Sequence, residues 1–326
     1  MTDRASMLFI SWAPFCSRSD NIARHLGGKS FMVYSPRFGS NYFTVAFKYV
    51  SQTFKTLRIL FREKPAAVFV MTPPVFASLP AWIYSRVTGT PFLIDAHSGA
   101  FVDPRWKPLL FIHKWFSAAA RATIVTNEYM LTKLREDWNC AAIIVRDVPV
   151  RFAEPVRPRL EGACNMTLVA TFTRDEPIEL FFRAAAQLPQ VSFHVTSDYR
   201  RADPRVLEAK PRNVRLTGFL PDKDYVGLLL ASDAVISLTT LDHTMQRGAY
   251  EALYLGKPVI TSDFDVLRRH FSKGSVHVKN TVESIVAGVC HMRDNLQRFQ
   301  AEIEELRRER LEDWQRVEAG LRQLIA

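Results

Sequence analysis

The sequence predicts an α/β chain of two Rossmann-like domains. Short apolar runs alternate with longer stretches of helical spacing along all 326 residues. That alternation is the pattern of parallel strands joined by helical crossovers. The length suits two domains of ordinary size. A basic, proline-rich stretch breaks the alternation at Pro149, Arg151, Pro155, Arg157, Pro158 and Arg159. It reads as a non-helical linker, and it divides the chain into domains 1–155 and 156–326.

In the first domain, residues 7–11 read as a buried strand and 30–34 as a second one. Ser19, Asp20 and Asn21 offer N-caps for the helix between them. This opening lacks G-x-G-x-x-G, so no dinucleotide is expected, and nothing else in the chain calls for a cofactor. Residues 41–64 read as one helix. Phe43, Phe47, Val50, Phe54, Leu57 and Phe61 form an apolar stripe beside Lys48, Lys55, Arg58, Arg62 and Lys64. Two readings stand: a membrane-surface face with aromatics inserting beside cations, or a core-facing stripe with a solvated basic face.

Strands over 67–71 and 92–94 flank a helix over 77–88 that Gly89 ends. The second of these strands delivers Asp95-Ala96-His97-Ser98-Gly99. In open α/β sheets the carboxyl strand ends form the ligand crevice. Two residues apart on extended backbone, Asp95 and His97 face the same side, which makes them the candidate catalytic pair. The alternative for His97 is a loop histidine bonded to backbone. Residues 101–116 hold Trp106, Trp115, three phenylalanines and several cations. They read as an aromatic, basic loop that suits an interface or a lid. A strand over 121–125, a helix over 129–137 capped from Thr126-Asn127-Glu128, and a strand over 143–146 complete the domain.

In the second domain, strands are expected over 166–170, 191–196, 214–220 and 234–238. Helices are expected over 178–187, 223–231, 282–293 and 296–325, and 171–177 reads as a polar loop. The stretch 244–263, T-M-Q-R-G-A-Y-E-A-L-Y-L-G-K-P-V-I-T-S-D, reads as a helix, a tight stop and a buried strand. His243 or Thr244 can cap the helix. Gly256 stands where a helix C-terminus wants positive φ, and Pro258 follows. A helix N-terminus attracts phosphates, and Gln246 and Arg247 stand in the first turn here. Glu251 lies inside the helix; an i,i+4 pair with Arg247 is the plain structural reading.

The run E-A-L-Y-L-G-K-P-V-I-T-S-D from Glu251 resembles the nucleotide-sugar signature of GT-B glycosyltransferases of the family 4 type, E-x-F-G-x-x-x-x-E-A-x-A-x-G-K-P-V-I. The family's first Glu falls at His243 and its Gly-Phe-Gly is absent. T-G-F at Thr217, Gly218 and Phe219 followed by P-D-x-x-Y, and A-x-x-V-T-N-E-x-M-x-x-x-L around Asn127, resemble the family as well. So does Asp313-Trp314-Gln315-Arg316-Val317, like the family's F-S-W-x-x-x-A.

The resemblance implies a GT-B architecture: two Rossmann-like domains facing a cleft, with a last helix crossing back to the first domain. It implies an acceptor domain over 1–155 and a donor domain over 156–326. It implies retention of configuration, no metal, and the activity of a hexosyltransferase-type enzyme. Glu251 would hold the donor ribose, the backbone near Gly218 and Phe219 the base, and His97 would lie near the sugars. Arg18, in the first loop, becomes a phosphate candidate, with Ser98 beside the acceptor. The family's G-R-L-x-x-x-K is replaced, with Thr171 and Glu176 at the Arg and Lys positions. Arg174 and Arg247 are the candidate substitutes for the diphosphate charge. A nucleotide-sugar epimerase and a non-catalytic binding module are the alternatives.

The net charge of +10 admits nucleic acid, an anionic membrane surface or phosphorylated substrates. No nucleic-acid-binding signature appears, so nucleic acid is not expected. The expected partners are a UDP- or GDP-sugar, a lipid-linked or saccharide acceptor in envelope or exopolysaccharide synthesis, and an anionic membrane surface. No long apolar stretch follows Thr2-Asp3-Arg4, so a signal peptide is not expected, nor is a membrane span. Cys16, Cys140, Cys164 and Cys290 show no C-x-x-C spacing, against a structural zinc or a disulfide framework. These signs point to a cytoplasmic protein, peripheral at the inner face of the plasma membrane.

Overall fold

The structure, a computed structural model, describes residues 7–35, 42–146, 148–150, 152, 154–196 and 198–325. The chain forms two compact units, residues 1–148 with 313–326, and residues 149–312. The division at Val148 falls slightly ahead of the 155/156 boundary expected from the linker composition.

The first unit runs β1 (Leu8–Ser11), α1 (Ser17–His25), β2 (Lys29–Met32), α2 (Tyr42–Glu63), β3 (Val68–Thr72), α3 (Ser78–Thr88), β4 (Phe92–Ala96), α4 (Gly99–Val102), α5 (Leu110–Ala119), β5 (Ala122–Val125), α6 (Glu128–Thr132) and β6 (Ala142–Ile144). Its six strands are parallel in the order β2-β1-β3-β4-β5-β6. The inner strands are apolar on both faces, as a helix-covered parallel sheet requires. Leu8, Ile10, Val68, Val70 and Ile94 face one layer, and Phe9, Phe69, Leu93 and Ile124 the other. Into that second layer go Trp314 and Leu321 from the end of the chain, both buried.

The second unit runs β7 (Asn165–Leu168), α7 (Ile178–Ala186), β8 (Ser192–Thr196), α8 (Pro204–Glu208), β9 (Val214–Gly218), α9 (Asp222–Ala231), β10 (Ala234–Ser237), α10 (Arg247–Tyr254), β11 (Val259–Ser262), α11 (Asp265–His270), β12 (Ser275–Val278) and α12 (Val282–Asp294). Helix α13 (Leu296–Ile325) follows, and its residues from Asp313 onward belong to the first unit. The strands are parallel in the order β12-β11-β10-β7-β8-β9. Renumbered within the unit, that is the doubly wound Rossmann order with its switch point between β7 and β10.

Two local expectations are corrected, and one open reading is resolved in part. Helix α1 is capped by Cys16 without a side-chain bond. Ser19 turns inward to Ser11 and Asp20 binds Ser30 instead. Residues 101–116 are not a loop, because most of them lie in α4, a short 3-10 turn and α5. Of the two readings of the α2 stripe, the structure supports each in part: Phe47 and Phe54 are 68% and 69% exposed, while Leu57 packs on the core beside the buried Gln52, Thr56 and Leu60, and the side chain of Phe43 lies outside the described residues. No helix among the described residues is long and apolar enough to cross a membrane.

Candidate functional site

In the first unit the carboxyl ends of the strands gather Arg18, Asp95 and His97. Asp95 is the fourth residue of β4 and is fully buried. Arg18, on the first turn of α1, grips it with Nε at 3.0 and 3.2 Å and Nη2 at 3.1 Å. The same guanidinium donates to Val145 O at 2.7 Å and Arg146 O at 3.3 Å. His97 Nε2 lies 3.2 Å from Asp95 Oδ2, and its side chain is one-third exposed. Burial opposes the Asp95 charge, but Arg18 and His97 outweigh it and hold the carboxyl well below the ordinary range.

This is an orienting carboxylate beneath a half-open imidazole. Such a pair fixes the histidine tautomer and steadies an imidazolium. Asp95 itself has no exposure and cannot meet a substrate. Arg18 is committed to Asp95 and to backbone carbonyls, which argues against its expected phosphate contact. Ser98 opens the short α4 with its Oγ 3.4 Å from Thr126 Oγ1.

In the second unit the loops after β7 and β10 flank the switch point and are tied together. Thr240 N and Oγ1 both donate to Asp175 O, at 2.7 and 3.1 Å. Helix α10 follows and packs closely on the sheet. A Cβ at Gly248 would stand 2.7 Å from Val169 Cβ, so only glycine fits there. Gly256 takes φ 67° after the helix, and Lys257 N closes the turn on Ala252 O at 2.8 Å. Lys257 Nζ caps the end of α9 at Ser232 O, 2.8 Å away. The lysine of the G-K-P run therefore serves the fold.

His243 and Thr244 do not cap α10. The helix starts three residues later, and its N-cap, Gln246, makes no side-chain capping bond. His243 has φ 57° in a turn and donates its backbone N–H to Asp242 Oδ1, and Thr244 Oγ1 donates to Asp242 O. Gln246 Oε1 accepts from Ser237 Oγ at 3.2 Å.

Glu251 is buried, with Oε1 2.7 Å from Arg247 Nε and Oε2 bonded by the Tyr225 hydroxyl. Burial first, then the neighbouring carboxylate, push the Tyr225 hydroxyl well above its usual range, so it stays a donor. A carboxylate offers about four acceptor positions, and Tyr225 and Arg247 occupy two. Tyr225 is the tyrosine of P-D-x-x-Y, whose spacing alone does not point to Glu251.

The polar loop after β7 is closed by its own acid. Glu176 accepts from Thr171 N at 2.8 and 3.0 Å, from Thr171 Oγ1 at 3.0 Å and from Thr173 N at 3.3 Å. Phe172, between these donors, has φ 56°, so the two amides converge as in an anion-binding nest. Burial raises the Glu176 carboxyl against these donors. Arg174 is exposed on the same loop. An open groove of about 810 Å³ lies alongside, lined by Arg174, Glu176, Glu179, Asp203 and Thr240 among others. Gly218 ends β9 with φ 74°, and Phe219 beyond it is 80% exposed. Among the described residues no group of three or more His, Cys, Asp or Glu side chains is placed to hold a metal.

No family model matches the chain, and no curated protein sequence matches it significantly. Solved structures do. HepE from Anabaena, in complex with UDP and glucose, superposes with a TM-score of 0.74 at 13% identity, over 97% of this chain and 99% of that one. A sucrose-phosphate synthase from Thermosynechococcus elongatus gives 0.70 at 15%, over 98% of each chain. A provisionally assigned UDP-N-acetylglucosamine 2-epimerase from Listeria monocytogenes gives 0.64 at 14%, over 92% and 91%. The chain has the GT-B fold that glycosyltransferases among these neighbours share.

Proposed function

We propose that this protein is a glycosyltransferase that moves a sugar from a UDP- or GDP-sugar to a lipid-linked or saccharide acceptor. The observation that carries the reading is Glu251. It is a carboxylate buried on the helix after the switch-point strand and preorganised by Tyr225 and Arg247. It stands in a fold matched almost end to end by a protein solved with UDP and with UDP-glucose. In this reading the second unit binds the donor. Glu251 takes the ribose hydroxyls, the backbone near Gly218 and Phe219 the base, and Arg247 with the first amides of α10 the leaving diphosphate.

The first unit receives the acceptor at His97, which Asp95 and Arg18 orient. Transfer proceeds with retention and without a metal. Envelope or exopolysaccharide assembly is the setting that suits a lipid-linked acceptor. Thermal unfolding against UDP, GDP, ADP and TDP tests the donor site. One nucleotide should stabilise the protein, by about 2.7 kcal/mol at a hundred times its Kd, and the effect should vanish in Glu251→Ala. An unchanged nucleotide response in Glu251→Ala would refute the assignment.

The epimerase neighbour supports a second reading, sugar interconversion with no acceptor. Incubating the protein with the stabilising nucleotide-sugar alone separates the two. An epimerised sugar on an intact nucleotide favours the second reading, and release of nucleoside diphosphate only with acceptor favours transfer. The nest filled by Glu176 supports a third reading, a binding module without turnover, for which neither product would form.

A further inference from the structure

Helix α2 turns Gln52 and Thr56 in and leaves Phe47 and Phe54 out. On the inner side Gln52 Nε2 donates to Val33 O at 2.8 Å, and Trp12 Nε1 donates to Thr56 Oγ1 at 3.0 Å. On the outer side Phe47, Val50, Phe54 and Phe61 are 68%, 54%, 69% and 44% exposed. At a helical pitch these four fall within about 60° of one another. An apolar groove of about 520 Å³ runs beside Val50 and Phe54, walled by Tyr49, Phe76 and Leu79.

The surroundings of the stripe are basic. Arg58 stands in line with it, and Lys48, Lys55 and Arg62 follow one flank. The one acid of α2, Glu63, is already paired with Lys29 and Arg62. Helix α3 packs against both α2 and α5, and neither α3 nor α5 contains an acid. On α5, Phe111 and Trp115 are 70% and 51% exposed, and Trp115 lies 5.0 Å from the Trp82 ring of α3.

We propose that this face of the first unit docks on an anionic lipid bilayer. Phe47 and Phe54 enter the headgroup–acyl boundary, with Phe111 and Trp115 beside them. The groove takes an acyl chain from the same bilayer, and Lys55 and Arg58 meet lipid phosphates. Charge chooses this occupant. A second copy of the chain pairing through a two-fold axis would set Lys48, Lys55, Arg58 and Arg62 against the same cations of its partner. A polyanionic surface satisfies the apolar and the basic halves together. The inference does not depend on sugar transfer.

Co-sedimentation of the full chain with vesicles tests it. We expect binding to phosphatidylcholine vesicles that contain phosphatidylglycerol, weakened by salt, and much weaker binding to phosphatidylcholine alone. Phe47→Ser with Phe54→Ser should weaken the binding about tenfold or more, the share of one buried aromatic. Lys55→Glu with Arg58→Glu should do the same, and the thermal midpoint should hold closely in both, since these side chains are exposed and only Lys55 gives up a hydrogen bond, to Ser35 Oγ at 3.1 Å. Failure of the wild-type chain to bind phosphatidylglycerol vesicles at low salt would overturn the proposal. So would undiminished binding by the Phe47→Ser/Phe54→Ser variant, or a dimer in sedimentation velocity that the same variant abolishes.

Discussion

Arg18 and Asp95, 77 positions apart in the chain, form a two-pronged ion pair in which the carboxylate has no solvent exposure and the guanidinium 11%. A buried charge stripped of its partner is far worse placed than a buried pair. Arg18→Met should therefore destabilise the first unit by about 3–5 kcal/mol at neutral pH, read from urea denaturation. The carboxyl of Asp95 is held below its ordinary range, so its contribution is present above that range and lost as pH falls through and below it. The penalty of Arg18→Met should accordingly shrink near pH 4, where a lone Asp95 can take up a proton. A penalty independent of pH would mean that Arg18 acts mainly through its bonds to Val145 and Arg146.

Tyr225 donates its hydroxyl to Glu251 Oε2 while Arg247 holds Oε1. Tyr225→Phe removes one hydrogen bond to a charged group and keeps the ring. On the donor reading, UDP affinity should fall about 3- to 15-fold in Tyr225→Phe, the measure of a bond worth roughly 1 kcal/mol or more. Glu251→Gln should fall further, because the ribose contact is lost as well. Isothermal titration of both variants checks the order; an equal loss in the two would place Tyr225 among the direct ligand contacts.

The sequence exposes what repeats locally and hides what is joined across the sheet. Continuous apolar runs announced the parallel strands, and the period-two spacing of Asp95 and His97 put them on one side, as found. Arg18's grip on that carboxylate has no local signature, since α1 and β4 meet only through the strand order. Strand β12 has no clear sequence signal because Ser275 and His277 dilute a four-residue element. On α2 the periodicity was right and its direction open. Which side is inside depends on Trp12 and Val33, neither of which lies on the helix. The helix starts at Arg247 and not near His243, because Thr244 spends its hydroxyl on the turn at Asp242.

Glu176 occupies the donors that a phosphate would use. If the β7 loop is a phosphate site, that carboxylate competes with every anionic ligand by charge and by place. Glu176→Ala should then raise UDP affinity several-fold, with a modest loss of thermal stability from the freed amides of Thr171 and Thr173. Calorimetric titration beside a melting curve separates the two effects. Unchanged or weaker UDP binding would mean that the diphosphate lies elsewhere and that Glu176 merely closes the loop.

His113 supplies a titration that stability measurements can isolate. Its ring is buried, with Nε2 3.0 Å from Thr72 Oγ1 and with Phe101 and Trp138 at centroid distances of 5.3 and 5.6 Å. Burial pulls its pKa down to about 4. Between its ordinary value of about 6.5 and that level, the unfolded chain binds the proton and the folded chain does not. Stability should therefore fall as pH drops from about 6.5 toward 4, by on the order of 2 kcal/mol at pH 5 from this group. His194 and His277, also lowered by burial, add to the slope with the same sign. His113→Gln keeps a polar partner for Thr72 and cannot titrate. Comparing urea midpoints of the wild type and His113→Gln at about pH 7 and 5 cancels the other histidines. The variant should be weaker than wild type at neutral pH yet lose less on acidification. Equal losses in the two proteins would show that His113 is already protonated, or hydrated, in the folded state.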